Sequence, residues 1–153
     1  MNKIIAMVGM TGSGKSIASK HLESLGYQMI YFGGLTYERM QAEGIEYTVE
    51  SDKQMRVQMR KDYGMGAYAI LSMPKIKTAL EKGDVVIDDL YSWAEYEELQ
   101  KEFGDNIILI CVVADKNIRY ERLRTRETRS YTKEEAIGRD LNELGNLDKG
   151  RPI

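Results

Sequence analysis

The residues that could do chemistry lie near the amino terminus, in the segment Gly9-Met10-Thr11-Gly12-Ser13-Gly14-Lys15-Ser16. This segment matches the phosphate-binding pattern G-x-x-x-x-G-K-[ST] at every fixed position, and a chance match in a chain this long is expected in roughly one sequence in a hundred. Glycines let backbone N–H groups approach a phosphate, Lys15 can reach the β- and γ-phosphates, and the Ser16 hydroxyl can ligate Mg²⁺. The segment therefore predicts binding of a nucleoside triphosphate. The predicted cofactor-binding residues here are Gly9, Thr11, Gly12, Ser13, Gly14, Lys15, Ser16 and Ile17.

The residues on either side predict the two elements that must position this loop. A buried strand should end at Gly9, and a helix should begin behind the loop and close near Gly26. The apolar positions that predict them are Ile4, Ile5, Met7 and Val8 before the loop and Ile17, Ala18, Leu22 and Leu25 after it. The helix N-terminus adds partial positive charge at the place where a phosphate would bind.

The rest of the chain predicts a three-layer α/β fold. Four short apolar strands that alternate with helices predict a parallel sheet of about four to five strands with helices on both faces. The further predicted strands are 28–32, 84–89 and 106–114, and the further predicted helices are 35–42, 50–62, 72–82 and 94–103, with a last helical stretch from about residue 115. Met55 and Met59, four residues apart, predict a face that packs into the core.

Composition narrows the class of protein. The 153 residues suit one domain, and 42% hydrophobic with 30% charged residues is ordinary for a globular protein. A net charge of −2 gives no basic field, so we expect neither nucleic acid nor a membrane as partner. Cys111, the only cysteine, lies in an apolar run, which predicts a buried structural thiol. We expect a cytoplasmic protein; its oligomeric state is open.

Asp88 is the second candidate site. It follows a short apolar run, and so should lie at the carboxyl end of a buried strand, where open α/β sheets place their ligands. A carboxylate there could complement Ser16 in holding Mg²⁺. Asp89 could share that role or cap the next helix.

Four arginines near the carboxyl end of the chain, Arg119, Arg122, Arg126 and Arg129, form the third candidate. If their segment is helical, steps of three, four and three place them on one face, where a bound polyanion would relieve their mutual repulsion. We predict Arg119 as cofactor-binding and Arg122 and Arg126 as catalytic. A solvated charged helix is the alternative.

The region between the second and third predicted strands should hold the acceptor of a phosphoryl-transfer enzyme. Arg39 and Arg60 lie there, and they are the candidates for anion binding. Tyr37 and Tyr91 follow strand ends and could stack on a base. The alternatives are surface charge for the arginines and ordinary packing for the tyrosines.

With these motifs the chain resembles the small P-loop kinases, the group that contains adenylate kinase and dephospho-CoA kinase. It is most similar to a largely archaeal family described as adenylate-kinase-related or dephospho-CoA-kinase-like. The segments that carry the resemblance are Gly9 to Ser16, Arg60 to Met65, Ile87-Asp88, Glu95, Arg119, Arg122 to Leu123, Arg126, Arg139-Asp140 and Glu143. The resemblance implies an acceptor-binding helical region at about 35–80 with Arg60 on the acceptor's phosphate, and a lid at about 119–135 that closes over ATP.

The chain departs from its relatives in three places. Relatives carry Gly-Asp after the second strand and an Arg three residues later, whereas this chain has Gly33-Gly34 and Tyr37. They carry Asp-Gly-x-Arg after the third strand, where Asp89 and Tyr91 here replace the Gly and the Arg. Arg39 could substitute for one missing arginine. The family's C-terminal strand and helix are expected to be absent.

These observations together predict an ATP- and Mg²⁺-dependent transfer of phosphate to a small nucleotide-like acceptor. A monophosphate acceptor needs no general base, and this chain lacks the Asp that dephospho-CoA kinases place after the second strand, which favours a nucleoside monophosphate. A hydroxyl acceptor such as dephospho-CoA is the first alternative. An ATP-binding regulatory switch without a small acceptor is the second.

Overall fold

The computed structural model describes residues 2–127 and 130–145, and of Val49 the backbone alone. The strands are β1 (Ile4–Val8), β2 (Gln28–Tyr31), β3 (Val85–Asp88) and β4 (Ile107–Cys111). The helices are α1 (Lys15–Ser24), α2 (Gly34–Ala42), α3 (Val49–Tyr63), α4 (Ala67–Leu80), α5 (Trp93–Phe103), α6 (Lys116–Arg124) and α7 (Lys133–Leu144), with a 3₁₀ turn at Gly104–Asn106. No helix in these ranges is long and apolar enough to span a membrane.

The four strands form one parallel sheet in the order β2-β3-β1-β4. Strand β1 pairs with β3 and β4, so it is central, and its residues are apolar along their whole length. The chain leaves β1 toward β2 on one side and leaves β3 toward β4 on the other. Open parallel sheets form a ligand crevice at such a switch point, here beyond the carboxyl ends of β1 and β3.

Helices cover both faces of the sheet, as the sequence predicts. In β3, Val85 and Ile87 belong to a core that they share with residues of α2, α3, α4 and α5, including Met55 and Met59. The next residue, Asp88, turns to the opposite face and meets Ser19 of α1. This alternation carries one side chain of β3 away from the core and toward the helix that follows the phosphate loop.

The prediction for α4 was wrong. A helix that begins at Ser72 was expected because Ser72 precedes Pro74, but α4 begins at Ala67 and contains Pro74 in its interior. Ala67, Ala69 and Ile76 are fully buried, so a continuous apolar face crosses the proline. Burial of that face outweighs the backbone hydrogen bond that proline removes.

The prediction for Cys111 was also wrong, because its thiol is exposed. Among the residues that the structure describes, strand β4 pairs with β1 alone and so forms an edge of the sheet. Its neighbours Ile108 and Ile110 are also partly exposed, at 45% and 38%. An uninterrupted apolar run predicts a strand, but it does not tell a central strand from an edge strand.

Candidate active site

The phosphate loop between β1 and α1 has a backbone that only glycine tolerates. Gly9, Gly12 and Gly14 all have positive φ, at 138°, 82° and 110°. A Cβ on Gly9 would lie 2.4 Å from the carbonyl oxygen of Val112, and one on Gly12 would lie 2.9 Å from that of Arg119. The loop therefore packs directly against the backbone that follows β4 and against α6.

The N-terminus of α1 is arranged for an anion. Its cap residue, Gly14, offers no side-chain hydrogen bond, whereas α3, α5 and α7 begin with capping boxes at Thr48, Ser92 and Thr132. The first amides of α1 therefore have no side-chain acceptor at the cap. The buried hydroxyl of Ser13 also has no hydrogen-bond partner in the described part of the chain. A phosphate could satisfy both kinds of group.

The ammonium group of Lys15 lies over the loop. Its Nζ donates to the carbonyl oxygens of Gly9 at 2.6 Å and Met10 at 3.3 Å, and it lies 3.2 Å from a carboxylate oxygen of Asp89. The side chain is only 10% exposed. A buried ammonium beside open helix amides gives the loop its positive charge.

Asp88 and Ser16 provide the oxygen atoms that a magnesium site would need. Asp88 is 6% exposed, and its Oδ1 accepts a hydrogen bond of 2.9 Å from the hydroxyl of Ser19. Ser16 is exposed in the first turn of α1. Within the described ranges no three His, Cys, Asp or Glu side chains cluster to hold a metal. This donor set fits Mg²⁺, which takes one or two protein oxygens together with water and nucleotide phosphates.

Arg119 joins three parts of the site. Its Nη1 and Nη2 donate to the two carboxylate oxygens of Asp140 at 2.8 and 2.6 Å, and Nη1 also donates to the carbonyl of Thr11 at 3.1 Å. Tyr120 donates a further hydrogen bond to Asp140. The hydrogen bond from Arg119 holds the pKa of Asp140 below its usual value, and the same bond raises the pKa of Arg119. The pair ties α6 and α7 to the phosphate loop.

The other arginines of the predicted stripe are arranged differently. Arg122 donates from Nη1 to the carbonyl oxygens of Gly12 at 3.3 Å and Ser13 at 2.9 Å, so it lies at the rim of the loop. Because α6 ends at Arg124, Arg126 follows the helix and does not continue the expected helical face, and its side chain is exposed. Arg129 lies outside the described residues.

Sequence reasoning assigned no role to two side chains of α7 that touch the loop. The hydroxyl of Thr11 donates to Glu143 Oε1 at 2.6 Å, and Arg139 Nε donates to the Thr11 oxygen and to the same carboxylate oxygen, each at 3.0 Å. Arg139 also donates to the hydroxyl of Tyr131. Two signals were available: both residues belong to the segments that carry the family resemblance, and their spacing of four residues places them on one face of a helix.

A second group of polar side chains extends from the loop along the carboxyl end of β3. The Tyr91 hydroxyl donates to the backbone carbonyl of Glu143 at 3.2 Å. The backbone N–H groups of Tyr91 and Ser92 donate to Glu95 Oε2 at 3.1 and 3.0 Å. Burial raises the pKa of both Tyr91 and Glu95. This half-buried wall connects the phosphate loop to α5.

Arg60 belongs to this wall. Its guanidinium carbon lies 5.1 Å from the centre of the Tyr68 ring, and its charge acts on both Tyr91 and Glu95. The Nε of Arg60 is buried and has no hydrogen-bond partner in the described ranges. The charge of Arg60 thus acts at Tyr91 and Glu95, and a role for Arg60 or Tyr91 in acceptor binding stays a prediction.

Arg39 and Tyr37 make their contacts elsewhere. Arg39 is exposed and pairs with Glu43, and that hydrogen bond is the main cause that raises its pKa. Tyr37 is 49% exposed, and its ring packs edge-on against Tyr47. None of these contacts involves the phosphate loop, and a role for either residue in acceptor binding stays a prediction.

Comparison with known proteins identifies the family. A family model described as an AAA domain matches residues 5–143. The UPF0200 protein PH1008 of Pyrococcus horikoshii is 36% identical over 146 residues, which cover 93% of this chain and 78% of that protein. A UPF0200 protein of Methanosarcina mazei is 36% identical over 128 residues, covering 82% and 67%. The chain belongs to the AAA domain family and to the UPF0200 proteins.

Solved structures show the fold of this UPF0200 chain. TT1252 from Thermus thermophilus has a TM-score of 0.66 at 18% identity, covering 97% of this chain and 83% of its own. A gluconokinase from Sinorhizobium meliloti has a TM-score of 0.54 at 16% identity, covering 96% and 74%. At these identities the likeness shows the fold alone. The predicted α/β P-loop fold is confirmed, and the likeness to solved kinases is one of fold.

Proposed function

We propose that this chain is an ATP- and Mg²⁺-dependent kinase whose acceptor is a nucleoside monophosphate. The observation that carries the proposal is the glycine loop at the uncapped N-terminus of α1, with Lys15 over it and Asp88 at the end of the adjacent strand. Phosphoryl transfer needs little covalent help from a protein. Positioning and neutralisation of charge are enough, and this loop offers both.

The positions of the residues that would bind ATP and Mg²⁺ indicate the role of each. The amides at the start of α1 and the hydroxyl of Ser13 would bind the β-phosphate, and Lys15 would reach the β- and γ-phosphates. Ser16 and Asp88 would hold Mg²⁺, which supplies further positive charge at the transferred group when it is bound. Arg122, at the rim of the loop, would stabilise the charge on the phosphoryl group, together with Arg126.

The acceptor would lie along the wall formed by Tyr91, Glu95 and Arg60. Arg60 is suited to a phosphate because the Tyr68 ring, 5.1 Å from its guanidinium carbon, orients the guanidinium without neutralising it. An acceptor phosphate at Arg60 would be an anionic nucleophile that needs no general base. This supports a monophosphate acceptor over a hydroxyl acceptor.

The test is release of ADP from ATP and Mg²⁺ against a panel of ribo- and deoxynucleoside monophosphates and dephospho-CoA. We expect one monophosphate to stimulate release and Lys15→Ala to abolish it. Arg60→Ala should raise the KM for that acceptor by about tenfold or more, since a charge-assisted contact is lost. Lys61→Ala, an exposed neighbour on α3, is the matched control and should change little.

Other results of this experiment would support a different function. Stimulation by dephospho-CoA alone would replace the monophosphate acceptor with a hydroxyl acceptor. ATP binding without stimulation by any acceptor would favour a regulatory switch. ATP affinity that is equal in the unaltered chain and in Lys15→Ala would contradict the assignment of the loop itself.

A further inference from the structure

We propose that Asp89 is a positioning residue that shares Lys15 with the nucleotide and makes nucleotide binding depend on Mg²⁺. The proposal rests on the nucleotide site assigned above, and it goes beyond that site because Asp89 has no part in the loop motif. It starts from a backbone outlier. Asp89 is the one non-glycine residue with positive φ, at 68°, in the ranges that the structure describes.

The contacts of its two neighbours show why the chain turns at Asp89. The Asp88 carboxylate points to α1, where Ser19 donates to it. The backbone N–H of Leu90 donates to the carbonyl of Met7 in β1 at 3.1 Å, and the Leu90 side chain is 2% exposed. Because Asp89 lies between them in the left-handed conformation, the Asp88 carboxylate can reach Ser19 and the Leu90 N–H can reach the carbonyl of Met7. Asp and Asn tolerate this conformation better than other side chains do, but glycine adopts it without strain.

This turn brings the carboxylate of Asp89 to the centre of the phosphate site. Its Oδ1 lies 3.2 Å from Lys15 Nζ, which also donates to two loop carbonyls. Lys15 therefore makes two hydrogen bonds to the loop and an ion pair with Asp89. A phosphate that binds to Lys15 would meet Asp89 as a second anion beside the same ammonium group.

The charges around Lys15 determine how Asp89 affects the binding of metal-free and magnesium-bound nucleotide. Asp88 is buried on one side of Asp89, and Lys15 is the cation that meets Asp89 directly. The negative phosphates of a metal-free nucleotide would approach two adjacent carboxylates, and like charges at short range repel. With Mg²⁺ on the phosphates, the same carboxylates face a cation instead. Asp89 therefore penalises metal-free nucleotide and not the magnesium complex.

The test measures ATP affinity by calorimetry, in MgCl₂ and in EDTA at matched ionic strength. Asp89→Asn keeps the shape and the backbone tolerance but removes the charge. We expect it to tighten binding in EDTA by about three- to tenfold, the effect of one partly screened charge, and to change binding in MgCl₂ by less than about twofold. The ratio of the dissociation constant in EDTA to that in MgCl₂ should therefore fall.

Two further variants complete the design. Asp105→Asn removes an exposed charge from the turn before β4, and its ratio should equal that of the unaltered chain. Asp89→Gly also removes the carboxylate and suits the positive φ, so it should reproduce the fall even if Asp89→Asn folds poorly. An unchanged ratio in a folded Asp89 variant that binds ATP would overturn this inference alone. Failure of the unaltered chain to bind ATP in either buffer would overturn both this inference and the proposed function.

Discussion

Replacing Asp140 with Asn should destabilise the chain far more than a surface charge change does. The carboxylate of Asp140 is 12% exposed and accepts two hydrogen bonds from Arg119, whose side chain is 7% exposed. Asp140→Asn would leave the Arg119 guanidinium buried without its counter-ion. Breaking a buried pair in this way costs about 3–5 kcal/mol, a large part of the roughly 5–15 kcal/mol that stabilises a typical domain.

Urea unfolding at neutral pH measures this cost, and α6, the helix that carries Arg119, offers the control. Glu121 pairs with Arg124 on α6 at 2.7 Å, but both side chains are at least 60% exposed. Glu121→Gln should therefore cost much less stability than Asp140→Asn, because water and salt screen an exposed pair. If Asp140→Asn costs no more than Glu121→Gln, the pair does not tie α7 to the phosphate loop. A reduced slope with urea would indicate that α7 detaches before the rest of the domain unfolds.

Two further predictions concern pH and the loop. Since Arg119 lowers the pKa of Asp140, this carboxylate contributes stability that is fully present above the usual aspartate value of 3.8 and is lost as the pH falls through the lower folded value. The stability difference between the unaltered chain and Asp140→Asn, measured by urea unfolding, should therefore shrink below pH 3.8. Gly12→Ala places a Cβ 2.9 Å from the Arg119 carbonyl oxygen and should weaken ATP binding by about tenfold or more. Gly26→Ala is the control, because Gly26 also has positive φ but nothing lies within 4 Å of the added Cβ. It should cost about 1–2 kcal/mol of stability and leave ATP affinity unchanged. Equal ATP affinity in the two variants would contradict the predicted clash at Gly12.

The sequence predicts the fold well because its signals are local. Apolar runs and glycines mark the phosphate loop and the strands β1, β2 and β3 within one or two residues of their observed bounds, whereas the run predicted as 106–114 extends three residues beyond the end of β4 at Cys111. Two predictions failed where tertiary context decides. The run that ends at Cys111 does not show that β4 lies at an edge, and Pro74 does not show that burial carries α4 through it.

The residues of the candidate site also fall into two groups, those that a local sequence signal predicts and those that only the folded chain brings together. Lys15 and Asp88 could be assigned from one short motif and one strand end. Arg139 and Glu143 could not, because they reach Thr11 from more than 120 residues further along the chain, through the packing of α7. The left-handed turn at Asp89 is also a property of the folded chain, since it depends on where Asp88 and Leu90 must point.

The pairing of Arg119 changes how the arginine stripe should be interpreted. A helix with several arginines predicts a set of free positive charges for a polyanion, but Arg119 already has Asp140 as its counter-ion and the Thr11 carbonyl as a second acceptor. Its net contribution to the potential at the phosphates is therefore small, because the carboxylate cancels most of its charge at a distance. The positive charge of Lys15 is also partly offset, by the carboxylate of Asp89. Arg122, bound to neutral loop carbonyls, keeps its full charge at the rim. The proposed transfer would thus use Arg119 to hold the loop in shape and Arg122 to stabilise charge, so that two arginines one helical turn apart on α6 serve different purposes.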